Sequence, residues 1–302
     1  MVEHDEWLVE RFEGHRARLK SVAYRMLGST SEAEDAVQEA WLRLSRLGAG
    51  GIDNLGGWLT TVVARVCLNM LRSRRARREE ALEGPLGEPL GAHVPDPIVG
   101  RLHGADPEHE ALLADGVGLA LLVVLETLSP AERLAFVLHD TFGVPFAEIA
   151  PIVGRSPAAA RQLASRARNR VRGAVPAPET NLARQREVVD AFLAASRGGD
   201  FGALLAVLDP EVVLRADNGA AGASRLVRGA RTVANQALIY SRLAPFSQPA
   251  LVNGAAGAVT APGGEPLAIM GFTVARGKIV EIDILADPER LGRLDLSAVL
   301  DG

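Results

Sequence analysis

The chain is poor in lysine, in cysteine and in clustered histidine. Lys20 and Lys278 are the only lysines among 33 basic residues. Positive charge is therefore carried by arginine, whose planar fork suits phosphates and guanine edges. A GC-rich codon supply, which favours Ala, Arg and Gly, accounts for much of the count. Cys67 is the single cysteine, which excludes an internal disulfide and fits a reducing compartment. The six histidines are scattered, with no HExxH or Cys/His cluster, so neither a metal site nor a cofactor is expected. No apolar run approaches the roughly 20 residues of a membrane helix. The acidic start, MVEHDEWLVE, does not resemble a signal peptide. The expectation is a cytoplasmic protein with no membrane partner.

What is present is 302 residues with a net charge of −4, enough for two or three domains. Against that acidic balance, basic charge is concentrated in two places. PAAARQLASRARNRVR (Pro157 to Arg172) holds Arg161, Arg166, Arg168, Arg170 and Arg172 without one acid. It follows a short apolar helix pattern, Phe146 to Ala150, and Gly154. A short helix, a glycine turn and a basic second helix predict a helix-turn-helix DNA reader. Ser156 is its expected N-cap, with Pro157 at the first helical position. Ala160, Leu163, Ala164, Ala167 and Val171 would be buried, and Arg161, Gln162, Ser165, Arg166 and Arg168 would point away. Pro151 should shorten or kink the first helix. The second basic run is Arg74, Arg75, Arg77 and Arg78.

Residues 1–78 are helix-patterned. Leu8, Phe12, Leu19, Val22, Ala23, Met26 and Leu27 make one apolar stripe, ended by Gly28. Ser31 and Glu34 are spaced as a capping box before the stripe Ala33, Val37, Ala40, Trp41 and Leu44. A third helix from Trp58 would bury Leu59, Val62, Val63, Val66 and Met70, and show Thr61, Arg65, Asn69 and Arg72. Residues 79–108, with five prolines among glycines, read as a linker. Residues 109–174 are helical again, with an apolar run from Leu112 to Leu128 and a capping box at Ser129 to Glu132. A short linker, 175–182, precedes 183–302. There two helices lead to a strand at Glu211 to Arg215, a helix over 229–243, and four strands in meander spacing: 250–253, 257–260, 267–275 and 278–285. Helices followed by antiparallel strands indicate α+β for this last part.

AEDAVQEAWLRL (Ala33 to Leu44), GGWLTTVVARVCLNMLRSRRAR (Gly56 to Arg77) and EIAPIVGRSPAAARQLASRARNR resemble a bacterial extracytoplasmic-function sigma factor. The first two are similar to its σ2 domain and the third to its σ4 domain. GDFGALLAVLDPEVVLRAD (Gly199 to Asp217) and VARGKIVEIDILADPERL (Val274 to Leu291) resemble a SnoaL-like domain. The combination resembles sigma factors of the SigJ type. It implies a multidomain fold: all-α σ2 and σ4 domains, then an α+β, NTF2-like cone. It also implies the partners, core RNA polymerase (β′ clamp helices and β flap) and promoter DNA. Asp35, Gln38, Glu39, Trp41 and Leu42 would dock on polymerase, unless they are simply a solvated helix face. Asp53, Asn54, Trp58, Arg65, Asn69 and Arg72 would serve the −10 element, although the spacing of Trp58 with Val62 and Val66 favours core for it and makes Asp53 and Asn54 the better candidates for base contacts. Arg161, Gln162, Ser165, Arg166 and Arg168 would serve the −35 element. The extension would modulate σ2 and σ4 in cis, through the linker Gly84 to Leu90 (Pro85, Pro89), the loop Asp217 to Ser224 (Asp217, Asn218) and the stretch Asp287 to Leu291 (Asp287, Pro288). Two motifs depart from the SigJ type: the linker GPLGEPL has no tryptophan, and ADNGAAGAS lacks a lysine.

Two other readings compete. SnoaL-like folds also house isomerases and cyclases, fused here to a DNA-binding module. Such chemistry needs a general base in an apolar cone, and the extension has no histidine, since the last one in the chain is His139. Asp283, alternating with Ile282 and Ile284, is expected to be a solvent-facing strand residue. No catalytic residue is therefore assigned. An ordinary helix-turn-helix repressor would leave AEDAVQEAW and the arginine-rich third helix without a purpose.

Overall fold

Three long helices open the chain: α1 (Val2–Leu27), α2 (Thr30–Leu47) and α3 (Leu55–Ala81). The computed structural model describes residues 2–47, 52–81, 93–101, 118–174, 177–219 and 224–300. The expected stripe of α1 is buried from Leu8 to Leu27, and Gly28 ends the helix with φ 70°, a conformation glycine adopts freely. The start of α2 differs from the sequence expectation. Ser29, not Ser31, stands at the N-cap, its Oγ 3.5 Å from the Glu32 amide. Glu34 instead pairs with Arg16 and Lys20 of α1. Its carboxylate is drawn outward because two cations flank it.

A second helical set follows: α4 (Leu119–Glu126), α5 (Pro130–Phe136) with a π-helical turn over Val137–Thr141, α6 (Phe146–Val153) and α7 (Pro157–Ala174). The Ser129–Glu132 capping box forms in both directions, with Pro130 at the first position. Pro151 lies inside α6, which is only eight residues long and ends at Gly154 in the left-handed region. The described residues divide into two compact units, Met1–Leu86 with Val124–Gly173, and Gly87–Val123 with Ala174–Gly302.

The second unit is a seven-stranded sheet carrying helices on one face. Its strands are β1 (Val99–Gly100), β2 (Leu208–Asp217), β3 (Arg225–Arg228), β4 (Ser247–Val252), β5 (Ala255–Thr260), β6 (Ala268–Ala275) and β7 (Lys278–Leu285). The order is β1-β4-β5-β6-β7-β2-β3. The meander is antiparallel, but β2 runs parallel to β7. Helices α8 (Leu182–Gly198), α9 (Phe201–Val207) and α10 (Ala230–Ile239) cover the inner face. There Val189, Phe192, Leu193, Leu204, Ala258 and Phe272 share one apolar core. Two glycines let neighbours come close. A Cβ on Gly257 would lie 2.6 Å from the Met270 carbonyl oxygen, and one on Gly271 would lie 2.9 Å from Leu119.

The outer face corrects one expectation. Asp283 does point away from Ile282 and Ile284, but it is buried, not solvent-facing. Arg215, its cross-strand partner on β2, donates to it at 3.0 Å and pairs also with Glu281. Burial pushes the Asp283 carboxyl upward, and the Arg215 guanidinium opposes that shift. A second finding concerns the proline-rich linker. Residues 93–101 are built into this unit, and β1 is formed from them. Pro95 and Pro97 fix extended backbone and remove two N–H groups, leaving fewer donors to satisfy. Of those that remain, the Val94 N–H donates to Asp217 Oδ2 at 3.0 Å and the Ile98 N–H to Asn253 Oδ1 at 3.0 Å. The Asn253 N–H returns a bond to the Ile98 carbonyl at 2.8 Å.

Asp217 and Arg290 close this clasp. Arg290 reaches Asp217 at 2.8 Å, Asp96 at 2.8 Å and the Val94 carbonyl at 2.6 Å. His93 Nδ1 lies 2.9 Å from the same Asp217 oxygen. Arg290 is aimed by α11 (Pro288–Leu291), whose N-cap is Asp287. A last short helix, α12 (Ser297–Leu300), follows. Burial alone would raise the Asp217 carboxyl. The hydrogen bond from His93, the Val94 N–H, the His93 charge and the Gly219 N–H outweigh it, and hold the group well below the usual carboxylate range.

Two outcomes follow from these contacts. Asp217→Asn leaves Arg290 with Asp96 as its carboxylate partner but removes the charge that Val94, His93 and Arg290 share, which costs about 2–4 kcal/mol locally. Exchange of the Val94 and Ile98 amides, read by mass spectrometry, should accelerate by about 30-fold to 1,000-fold if that opening governs it. Because the folded carboxyl titrates below its ordinary value, its stabilisation is complete above the unfolded pKa of about 3.9. It is lost as pH falls through the lower folded value, so this variant should also flatten the acid limb of the exchange profile. Separately, Gly257→Ala should destabilise the sheet by about 1–3 kcal/mol through overpacking, measured by urea unfolding followed by circular dichroism.

Candidate nucleic-acid interface

Along α7, Ala160, Ala164 and Ala167 are buried, and their small side chains let the helix sit close to its neighbours. Arg161, Gln162, Ser165 and Arg166 are exposed, and their spacing of one, three and one residues keeps them on a single face. Ser156 caps the helix, its Oγ accepting from the Ala159 amide at 3.3 Å. The Arg161 guanidinium lies 5.5 Å over the Phe146 ring, which orients it as it leaves the surface. Arg168 differs from the other four, because Asp140 holds it at 2.7 Å. Arg170 bonds Glu132 at 3.2 Å, and Arg166 lies 3.6 Å from the same carboxylate. Burial raises Glu132, but the Ser129 hydroxyl and amide and the two arginines bring its pKa below the ordinary value. Arg155, exposed in the turn after Gly154, adds a cation that the helix pattern did not single out. Its signal was its place beside the left-handed glycine.

On α3, Trp58, Thr61, Arg65, Asn69 and Arg72 recur at three- and four-residue intervals. Arg65, Asn69 and Arg72 are exposed, and Trp58 is half-buried, between the two readings of it as core and as a stacking surface. Asp53 and Asn54 are exposed before the helix. The Asn54 side chain accepts from the Gly57 amide at 2.9 Å, so it serves as the helix cap and its carbonyl oxygen is already engaged.

Within this unit the two helical sets dock on each other. Arg133 Nε donates to the Arg25 carbonyl at 3.0 Å, and Arg18 donates to the Phe142 carbonyl at 3.3 Å. Arg25 lies 5.1 Å and Arg18 5.8 Å from the Phe142 ring centre. Arg133 is fully enclosed, and burial lowers its pKa to about 10. Beside this contact is a cavity of about 340 Å³. Asn54, Gly57 and Thr61 line one side of it, and Phe142, Pro145 and Glu148 the other. The start of α3 therefore faces the turn that leads into α6.

On α2, Asp35, Gln38 and Leu42 are exposed along one stripe. Glu39 bonds Arg43 at 2.9 Å. Trp41 is half-buried, its ring centre 5.0 Å from that of Phe12, so it supports the face from beneath. Of the expected linker contacts, Pro85 and Pro89 lie outside the described residues. Asp217 holds the clasp, the Asn218 amide donates to Ser224 Oγ at 3.3 Å, and Asp287 and Pro288 start α11. The linker residues seen to engage are His93 to Gly100, downstream of Gly84 to Leu90. Among the described residues no group of His, Cys, Asp and Glu is placed to hold a metal, and no helix is long and apolar enough to cross a membrane.

Comparison with known proteins agrees with this geometry. The family Sigma-70 region 2 matches residues 11–77, and Sigma-70, region 4 matches residues 118–171. The ECF RNA polymerase sigma factor SigJ of Mycobacterium tuberculosis is 41% identical, over 93% of this chain and 92% of its own. The probable ECF RNA polymerase sigma factor SigI of the same species is 37% identical, over 97% of this chain and 98% of its own. The crystal structure of the M. tuberculosis SigJ superposes with a TM-score of 0.76 at 38% identity, covering 95% of this chain and 99% of that one. With σ2 and σ4 helices in place and relatives matched along nearly their whole length, the chain belongs to the ECF RNA polymerase sigma factors.

Proposed function

We propose that this sigma factor grips promoter DNA at two points and that its C-terminal domain sets the distance between them. The observation that carries this reading is the course of the linker. The chain leaves α3, is fastened through residues 93–101 to the C-terminal unit, and only then continues to α5, α6 and α7. Every covalent path between the two DNA-binding halves thus runs through a segment that the C-terminal domain holds. Holding the linker in cis gives a high effective concentration, so a modest contact suffices.

The roles follow the exposed faces. Asp35, Gln38 and Leu42 present a polar and apolar stripe to the β′ clamp helices of core polymerase, with Trp41 behind it. Arg65, Asn69 and Arg72 lie along the −10 strand, and Asp53 stands at the loop that reads it. Arg161 and Gln162 enter the −35 major groove, where arginine reads guanine and glutamine reads adenine. Ser165, Arg166 and Arg155 meet backbone. Arg168 supports α7 through Asp140 rather than contacting DNA. The −10 and −35 elements are separated by more than two helical turns, about 34 Å each, so the docked arrangement of the two helical sets must open on promoter binding. Water can take over the hydrogen bonds that Arg18 and Arg133 make across this contact when it opens. Polymerase and promoter both place the protein in the cytoplasm.

The competing reading, an isomerase or cyclase, finds no support in the cone. Among the described residues that line its cavity there is no His, Asp or Glu, and Asp283 is engaged by Arg215 on the opposite face of the sheet. The protein acts as a transcription factor.

Run-off transcription with core polymerase tests both parts. Arg161→Ala and Gln162→Ala should each lower promoter-specific yield by about 5-fold to 150-fold, the worth of a bidentate base contact. Arg168→Ala should instead lower thermal stability and change the yield less. Chains ending near Pro176 and near Asp287 should differ from the full-length protein in yield. Equal yields from all three would remove the C-terminal domain from regulation.

A further inference from the structure

The inner face of the C-terminal sheet leaves a cavity of about 400 Å³ beside the apolar core, within the range of small-ligand sites. Phe192, Leu193, Leu214, Val227, Met270 and Ile282 supply its apolar wall. Deep polar groups satisfy each other: Ser247 and Thr260 share a hydrogen bond of 2.8 Å, and Ser196 donates to the Phe192 carbonyl at 2.9 Å. The exposed residues Arg225, Tyr240 and Leu267 mark the rim. Among the described residues that line it, Arg225 is the one charged at neutral pH, with no acid beside it in the lining. An apolar pocket with a single guanidinium at its mouth suits an apolar body ending in one carboxylate, which the arginine fork can hold in two bonds.

The cavity also shares its wall with the clasp. Ala216 and Asn218 face the cavity, and Asp217 between them grips the linker. Ile284 and Ala286 face the cavity, and Asp287 next to them caps the helix that aims Arg290. The two strand ends lie side by side in parallel register, Ala216 opposite Ile284, and the Ala286 amide donates to the Asp217 carbonyl at 2.8 Å. Alternation in a strand sends successive side chains to opposite faces. Whatever presses on 216, 218, 284 and 286 therefore moves the backbone that carries 217 and 287.

We propose that the cone binds an amphipathic monocarboxylate, its apolar body inside and its carboxylate on Arg225, and that occupancy alters the grip of Asp217 and Arg290 on the linker. The site rests on the cone alone. Its consequence for transcription rests on the reading of the C-terminal domain as a modulator in cis. The linker must feel the ligand because a ligand shifts an equilibrium only through differential contact with its two states, and here the contacted strand ends belong to the clasp.

The test uses the full chain and three probes with one apolar tail, decanoate, decanol and decylamine, below their micelle concentrations. Isothermal titration calorimetry should show decanoate binding about tenfold or more tighter than decanol, and decylamine weakest. Arg225→Gln, at an exposed position, should reduce decanoate to the level of decanol. Ala237→Trp, which fills the cavity from α10, should abolish binding of both, and Met270→Trp is the second filling variant if the first does not fold. Saturating decanoate should change amide exchange at Val94 and Ile98 severalfold. Equal affinities for the three probes, no binding by any, or binding that survives both filling variants would overturn the site. Binding without a change in exchange would overturn the coupling. Neither measurement involves polymerase or DNA, so failure here leaves the sigma-factor assignment intact, and failure of the run-off experiment leaves the binding result intact.

Discussion

The Asp217–Arg290 contact is the constraint on which the arrangement of the C-terminal unit turns. One carboxylate receives the Val94 amide, His93 and Arg290, and Arg290 returns to the Val94 carbonyl and to Asp96. A proline-rich segment has few donors of its own and cannot fold into a helix. It needs an external partner to be held, and this network supplies one. Removing one member would leave the others short of a partner in a largely buried site, which is more costly than never having built the network.

The helical unit follows a different logic. Its cores are periodic and local, and its caps are satisfied by neighbours in sequence, as at Ser129 and Glu132. The contact between its two helical sets rests on Arg133, Arg25, Arg18 and Phe142. Guanidinium groups stacked on a ring and bonded to carbonyls gain much of their energy again from water when separated.

Much of this was legible in the sequence. The stripe from Leu8 to Leu27, the capped start of α5, the turn at Gly154 and the outward set Arg161, Gln162, Ser165 and Arg166 all follow from spacing and local chemistry. The structure departs from the sequence where a side chain had two local options. Ser29 and Ser31 are both competent caps, and the choice fell to Ser29 because Arg16 and Lys20 of another helix claim Glu34. Arg168 is engaged by Asp140, 28 residues away, a partner that no local spacing names. Asp283 sits on the expected face of its strand and is nonetheless buried, with the half-buried Arg215 opposite it.

By itself, the sequence determined the helices, their caps, the helix-turn-helix and the meander of β4 to β7, because each is written in periods of a few residues. Only the tertiary structure decided that β2 runs parallel to β7, that Val99 and Gly100 become an edge strand on β4, and that residues 93–101 belong to the C-terminal unit. Those pairings join residues 68 to more than 150 positions apart, such as Arg215 with Asp283, where |i−j| is 68, and Ile98 with Asn253, where it is 155. No local period encodes them. They are selected when a sheet presents free edge amides, a buried carboxylate and an arginine to an extended chain that can satisfy all three together.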